Sequence, residues 1–151
     1  MIGILLLATY ISDRYRAEYE VDIDEMKLHK LLYFTQRECL VQTGMPITDA
    51  SFEAWRYGPV SPYIHYMYIN GRIDKPMTTS EVACYRPVFD KVFELYAPKS
   101  SWSLSTLSHG ELSWQRAREG VAPDCNSSNK LSLSDIILDA DRIRMRRLLF
   151  K

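Results

Sequence analysis

The segment Phe52–Val60 constrains the fold most strongly, because an extended run ends there in an abrupt break. Apolar and polar residues alternate from Phe52 to Ala54, which predicts a short strand. The residue before a proline is pushed out of helical geometry, so Gly58-Pro59 predicts a sharp change of direction. The chain is therefore expected to hold three large side chains beside a turn, namely Trp55, Arg56 and Tyr57.

Helical periodicity dominates the sequence on both sides of this segment. Apolar residues at spacings of three and four predict a first helix of roughly four turns that starts near Ile4. Asp24 fits the N-cap of a long second helix, and Gly44 fits its end. The predicted buried stripe of this second helix contains Leu28, Leu31, Leu32, Thr35 and Cys39.

Shorter helices are predicted after the break. Ser61 fits the N-cap of a helix over Pro62–Asn70, which begins with a proline at its first position. Residues 75–80 are expected to form a loop, and Pro87 is placed in the first turn of the following helix. Two short helical pieces are predicted within residues 101–119.

The last part of the chain is predicted to be a loop followed by a final helix. Residues 120–130 are polar and contain Gly, Pro and Asn, and Ser132–Asp135 matches a capping box. The predicted buried positions of the final helix are Leu133, Ile136, Ile137, Ala140 and Ile143. The sequence therefore predicts a mainly α protein: a compact single helical domain over residues 1–151, with a small β element (a short strand or hairpin) near residues 50–58. A separate DNA-binding domain is not expected.

The composition excludes several classes of partner. The chain has 151 residues, with 19 Lys and Arg against 19 Asp and Glu, so no net charge favours nucleic acid or a membrane surface. Cys39, Cys84 and Cys125 lie too far apart for a CxxC motif and fit a reducing, cytoplasmic compartment. The apolar start at residues 2–8 is too short for a membrane span.

The sequence contains no recognisable catalytic or metal-binding motif. His29, His65 and His109 lack zinc-site spacing, so neither a metal nor another cofactor is predicted. There is no nucleophile motif and no phosphate-binding glycine loop. The chain is predicted not to be an enzyme; the alternative is an uncharacterised enzyme that uses His109, Glu111 and Arg56 in one cleft.

Recognition by surface side chains fits the sequence better. Four residues of the second helix, Lys27, Lys30, Tyr33 and Arg37, are expected to form an exposed face. Tyr, Arg and Trp supply most binding hot spots in protein interfaces. Trp55 and Trp114 are instead expected to stabilise the core.

Three stretches together resemble the Panacea (SocA-like) antitoxin family. Residues 27–33, KLHKLLY, are similar to the family's KLQKLLY helix, and residues 54–60, AWRYGPV, to its AWxxGPV segment. Leu107-Ser108-His109 with Trp114 is similar to its LTH…W element. The departures are His29 for Gln, Ser108 for Thr, and Ser113 where Pro often precedes the Trp. The positions that match the family signature or its structural residues are Leu31, Trp55, Gly58, Pro59, Val60, His109 and Trp114.

The resemblance implies a helical antitoxin, often encoded by a prophage or another mobile element. Such a protein neutralises a cognate toxin by direct protein–protein contact. One branch of the family is a proteolytic adaptor that delivers its toxin to an AAA+ protease, so masking and delivery both stay open. The arginine-rich end of the chain is a candidate contact for such a protease. The tentative partner-binding residues are Lys27, Lys30, Tyr33, Arg37, Arg56 and Tyr57, with no nucleic acid or membrane partner expected.

Overall fold

The structure is a computed structural model that describes residues 1–150. Within these residues, seven helices and one two-stranded hairpin follow each other in chain order: α1 Ile4–Tyr19, α2 Glu25–Thr43, β1 Glu53–Trp55, β2 Gly58–Val60, α3 Pro62–Ile69, α4 Thr79–Leu95, α5 Ser101–His109, α6 Leu112–Ala117 and α7 Leu133–Leu149. The predicted mainly α class with a small β element is therefore confirmed. Within residues 1–150, no helix is both long and apolar enough to cross a bilayer.

Helix α2 lies at the centre of the fold. It packs against α1, α4, α5, α7 and strand β2. Asp24 accepts a hydrogen bond from the backbone N–H of Lys27, and Gly44 ends the helix in the left-handed region at φ +74°. Both predicted ends are thus confirmed. Fifteen of its 19 residues are buried, because neighbours cover it on all sides.

The hairpin is the predicted β element, with its turn at Arg56-Tyr57. Its antiparallel register pairs Ala54 with Pro59 and Trp55 with Gly58. The turn therefore falls before the Gly-Pro pair, which lies in the second strand. A later segment extends the hairpin, since the Ala54 amide donates to the carbonyl of Asn129 at 2.8 Å.

Helix α4 begins earlier than the sequence predicts. Thr78 is its N-cap, and a capping box joins Thr78 and Glu81. Pro87 therefore lies inside the helix rather than in its first turn, and the expected loop at residues 75–80 is shorter. Buried apolar residues beyond the proline hold the helix against the core, which offsets the lost backbone hydrogen bond.

Helix α7 buries a narrower stripe than predicted. Ile136 and Ala140 are buried, whereas Leu133 and Ile137 are exposed. Asp139, a charged residue, is buried in the same stripe. The reason is that this stripe faces α2 and α6, where a carboxylate is needed to accept backbone hydrogen bonds.

Candidate functional site

The predicted exposed face of α2 is buried. The exposed fractions of Lys27, Lys30, Tyr33 and Arg37 are 7%, 1%, 0% and 4%. The expectation of an exposed face is therefore wrong, because α2 is the central helix rather than a surface helix.

Most of the polar groups on this face form hydrogen bonds with other residues of the same chain. Lys27 Nζ donates to Tyr15 Oη at 3.2 Å and to the Ala97 carbonyl at 3.3 Å. Arg37 donates to Glu111 and to Tyr96, both of which are buried. The face is thus a buried polar layer that joins α2 to α1, α4 and the α5–α6 turn.

The three signature stretches meet at Gly58. A Cβ at this position would lie less than 3.0 Å from both Lys30 Cε and Ser108 Oγ. The backbone of Gly58 also has φ +120°, which L side chains rarely adopt. Lys30 Nζ donates to the Pro59 carbonyl at 3.3 Å. The lysine of the helix motif, the glycine of the hairpin and the serine of α5 are therefore one packing unit.

Two further hydrogen bonds fix the hairpin turn. The Arg56 amide donates to Asn126 Oδ1 at 2.9 Å, and the hydroxyl of Ser105 donates to the Tyr57 carbonyl at 2.7 Å. Arg118 is buried nearby and donates to the carbonyls of Ala54, Ala122 and Cys125. The side chains of Asn126 and Ser105 consequently hold the backbone of the turn from both sides.

Three exposed side chains form the tip surface, which we define as Arg56, Tyr57 and Trp102. The exposed fractions are 40% for Tyr57 and 62% for Trp102. The rings of Tyr57 and Trp102 meet edge to face with centroids 5.3 Å apart. The Arg56 guanidinium lies 5.0 Å from the Tyr57 ring centroid. Arg56 and Tyr57 were predicted, but Trp102 was missed; its signal was a lone tryptophan among serines at a helix start.

The signature aromatics lie behind the tip surface. Trp114 Nε1 donates to the Trp55 carbonyl at 2.9 Å. The ring of His109 stacks on Trp114, with centroids 4.1 Å apart and planes 10° from parallel. Burial lowers the pKa of His109, while its hydrogen bond to the Arg56 backbone opposes this shift. These side chains support the hairpin from inside.

The residues of the enzyme alternative do not share a cleft. Arg56 lines a cavity beside the hairpin, whereas Glu111 lines a different one together with Arg37. Burial raises the pKa of Glu111, and Arg37 opposes that rise. His109 lines neither of the two cavities. The geometry therefore does not assemble His109, Glu111 and Arg56 as an acid–base site.

The cavity beside the hairpin has a volume of about 520 Å³. It lies between the start of α2, the hairpin and the loop that precedes residue 127. Its wall combines apolar and charged side chains: Glu25, Met26, His29, Lys30, Trp55, Arg56, Tyr57, Val60, Asp124 and Asn126.

One edge of this cavity carries a histidine–carboxylate–histidine cluster. Glu25 Oε2 lies 3.0 Å from His29 Nε2 and 2.6 Å from His65 Nδ1. The possible ligand atoms of these residues lie within 4.8 Å of one another, close enough together to be considered as a metal site. The Ser61 amide donates to His29 Nδ1 at 3.4 Å, which leaves the proton of the neutral ring on Nε2, facing Glu25. This arrangement fits a hydrogen-bonded network rather than a metal centre, since a metal would need the Nε2 lone pair.

The cluster makes stability dependent on pH. Burial lowers the pKa of His29, and the hydrogen bond from His29 lowers the pKa of Glu25. A folded-state pKa below the unfolded value means that stability is present above the unfolded value and is lost as the pH falls. We expect the free energy of unfolding to decrease from pH 7 to pH 5, and to decrease less in His29→Gln. Urea unfolding at both pH values measures this; an equal decrease in the variant would contradict it.

Two arginines of the last helix are engaged within the chain. Arg147 forms two hydrogen bonds of 2.7 and 2.8 Å with the buried carboxylate of Glu38. Arg144 donates to the Leu40 carbonyl at 2.8 Å and to the Val41 carbonyl at 3.2 Å, near the end of α2. These arginines hold α7 against α2, which gives a structural reason for the charge in this helix.

A family model matches the central part of the chain. The model of the family described as "Antitoxin SocA-like, Panacea domain" matches residues 28–115, from the start of α2 to α6. The chain belongs to the SocA-like Panacea-domain family. The matched range contains the second and third signature stretches and all of the first except Lys27, and it leaves α1 and α7 outside.

A curated relative gives a shorter match. Antitoxin SocA of Caulobacter vibrioides (strain NA1000 / CB15N) is 41% identical over 49 residues, which is 32% of this chain and 26% of that protein. The match therefore spans about a quarter of the relative's length. No solved structure matches the chain significantly.

Proposed function

We propose that this Panacea-domain protein is an antitoxin that neutralises a cognate toxin by direct contact, and that the toxin docks on the tip surface. The observation that carries this proposal is the exposed Arg56–Tyr57–Trp102 cluster on the signature hairpin. These are the three residue types most enriched among binding hot spots. Hydrogen bonds to Ser105 and Asn126 hold the cluster in place, which lowers the entropy cost of binding.

Loss of the tip surface is expected to abolish neutralisation. Trp102→Ala should weaken toxin binding by roughly thirtyfold or more, the effect of one hot spot of about 2 kcal/mol. Arg56→Ala and Tyr57→Ala should each weaken it less. The measurement is co-expression with the neighbouring open reading frame, scored by growth, followed by co-purification and titration calorimetry.

Tyr63→Ala is the matched control. Tyr63 is also exposed but lines a separate cavity with Ile4 and Lys130. The Tyr63→Ala substitution should leave toxin binding unchanged. If the triple tip variant Arg56→Ala, Tyr57→Ala, Trp102→Ala is folded by circular dichroism and still rescues growth fully, the tip surface is not the contact.

Masking and delivery predict different fates for the toxin. Under the proposed masking, the toxin stays abundant but inactive, with or without an AAA+ protease. A toxin that disappears only when the protease is present would replace masking with delivery. Arg144 and Arg147 already form hydrogen bonds with α2, so they are less available to contact a protease.

A reducing cytoplasmic location is part of the proposal. Cys39, Cys84 and Cys125 are free thiols, and two of them are exposed. Exposed free thiols are typical of reducing compartments.

A further inference from the structure

Lys30 is a buried cation with few partners. Lys30 is 1% exposed. Within residues 1–150 its Nζ has one hydrogen-bond acceptor, the Pro59 carbonyl at 3.3 Å. An ammonium group can donate three hydrogen bonds. No ion pair joins it to a carboxylate in the described part of the chain. Such a group is costly to bury unless something pairs with it.

Other buried cations of the fold have at least two hydrogen-bond acceptors each. Arg37 donates to Glu111 and Tyr96, although its buried Nε has no acceptor within residues 1–150, and Arg118 donates to three carbonyls. Lys27, one turn before Lys30, has two acceptors and lies 5.1 Å from the Tyr15 ring centroid. Lys30 differs from them because it also lines the cavity beside the hairpin.

The cavity wall adds a second cation and an apolar lining. Arg56 lies on the same wall, and Met26, Trp55 and Val60 supply apolar surface. The carboxylate of Glu25 is already occupied by His29 and His65. The titratable groups of the wall are Glu25, His29, Lys30, Arg56, Tyr57 and Asp124.

We propose that this cavity binds a small organic acid whose carboxylate pairs with Lys30 and whose apolar or aromatic body packs against Trp55 and Met26. A volume of about 520 Å³ lies within the range of small-molecule sites and exceeds the space that one side chain of a partner fills. The carboxylate supplies the acceptors that Lys30 lacks. The site lies directly behind the tip surface, so a bound acid would change the surface that a partner meets.

The test uses phenylacetate and indole-3-acetate as probes, with phenylacetamide and indole-3-acetamide as neutral counterparts. We expect both acids to bind at pH 6 with affinities at least tenfold higher than those of their amides, by titration calorimetry. The lysine ¹³Cε resonances in NMR spectra should show Lys30 as the lysine that shifts most. Amides that bind as well as the acids would overturn the proposal, since the cavity would then recognise only an apolar body.

Two variants separate charge from packing. Lys30→Met keeps the length of the side chain and should remove the preference for acids over amides. Lys27→Met removes a buried lysine from the same helix, outside the cavity wall, and should retain that preference. Equal loss in both variants would mean a general effect of buried charge and would overturn the assignment to Lys30.

The pH profile of the wild-type protein tests the proposal without a substitution. Burial lowers the pKa of Lys30 from 10.5 to about 7. Binding of the acids should therefore weaken at least tenfold from pH 6 to pH 9, and the amides should show no such loss. A flat profile for the acids would overturn the proposal.

A further experiment uses an acetylated, amidated tripeptide with a central glutamate. Binding of this peptide without binding of either free acid would assign the cavity to a partner's side chain and would overturn the small-acid proposal.

Discussion

Gly58→Ala is expected to lower the free energy of unfolding by roughly 2–5 kcal/mol, through backbone strain and overpacking together. The backbone at this position has φ +120°, which an L side chain rarely adopts. The added methyl group would also lie less than 3.0 Å from Lys30 Cε and Ser108 Oγ. Both neighbours are buried, so neither can move aside freely. Urea unfolding monitored by circular dichroism measures the change.

Gly71→Ala separates the two contributions. Gly71 also has a positive φ of +66°, but an added Cβ would meet no atom of residues 1–150 within 4 Å. It should cost only about 1 kcal/mol, the backbone contribution alone. Adding Ser108→Ala to Gly58→Ala should recover part of the loss, because it removes one of the two collisions. Equal costs for Gly58→Ala and Gly71→Ala would contradict the packing unit formed by the three signature stretches.

Asp139→Ala is expected to destabilise the fold by roughly 3–5 kcal/mol, since it leaves several buried donors without an acceptor. The carboxylate accepts from the backbone amides of Leu112 at 2.7 Å and Ser113 at 2.9 Å, at the start of α6. It also accepts from the hydroxyl of Tyr33 at 3.3 Å. The residue therefore joins α7, α6 and α2 at one buried point. Thermal and urea unfolding measure the loss.

Asp141→Ala is the control on the same helix. Its carboxylate is half exposed and pairs with Arg144 at the surface, at 2.8 Å. An exposed pair of this kind contributes little, so a change below about 1 kcal/mol is expected. Tyr33→Phe should cost roughly 1–2 kcal/mol, because the hydroxyl that contacts both Ser113 and Asp139 is lost. If the Asp139→Ala variant is as stable as the Asp141→Ala variant, the buried carboxylate does not hold α6.

Several local features followed directly from the sequence. The N-cap at Asp24, the end of α2 at Gly44 and the N-cap at Ser61 depend on short-range geometry that residue types specify. The hairpin near residues 50–58 followed from the alternation before the Gly-Pro pair. Pro87 was misplaced because the capping box at Thr78 starts the helix earlier and tertiary packing tolerates the proline.

The candidate site was predicted only in part. The turn residues Arg56 and Tyr57 are exposed, as their position in a tight hairpin suggests. The polar face of α2 was misread because polarity normally indicates exposure, whereas here most of the polar side chains meet a partner that is distant in sequence. Tyr33 and Asp139 are 106 residues apart in sequence, and Arg37 and Glu111 are 74 apart. No local pattern reveals such pairs.

The sequence by itself determined the helical class, most helix ends, the hairpin and the family signature, because these depend on neighbouring residues. Tertiary structure alone decided that the signature lysine and glycine touch, that α2 is central, and that Trp102 joins the turn as an exposed cluster. It also placed the buried Lys30 in a cavity wall, with a single hydrogen-bond acceptor among the described residues. The reason is that burial and pairing arise when distant segments meet, and the free energy of a charge depends on that environment rather than on its residue type.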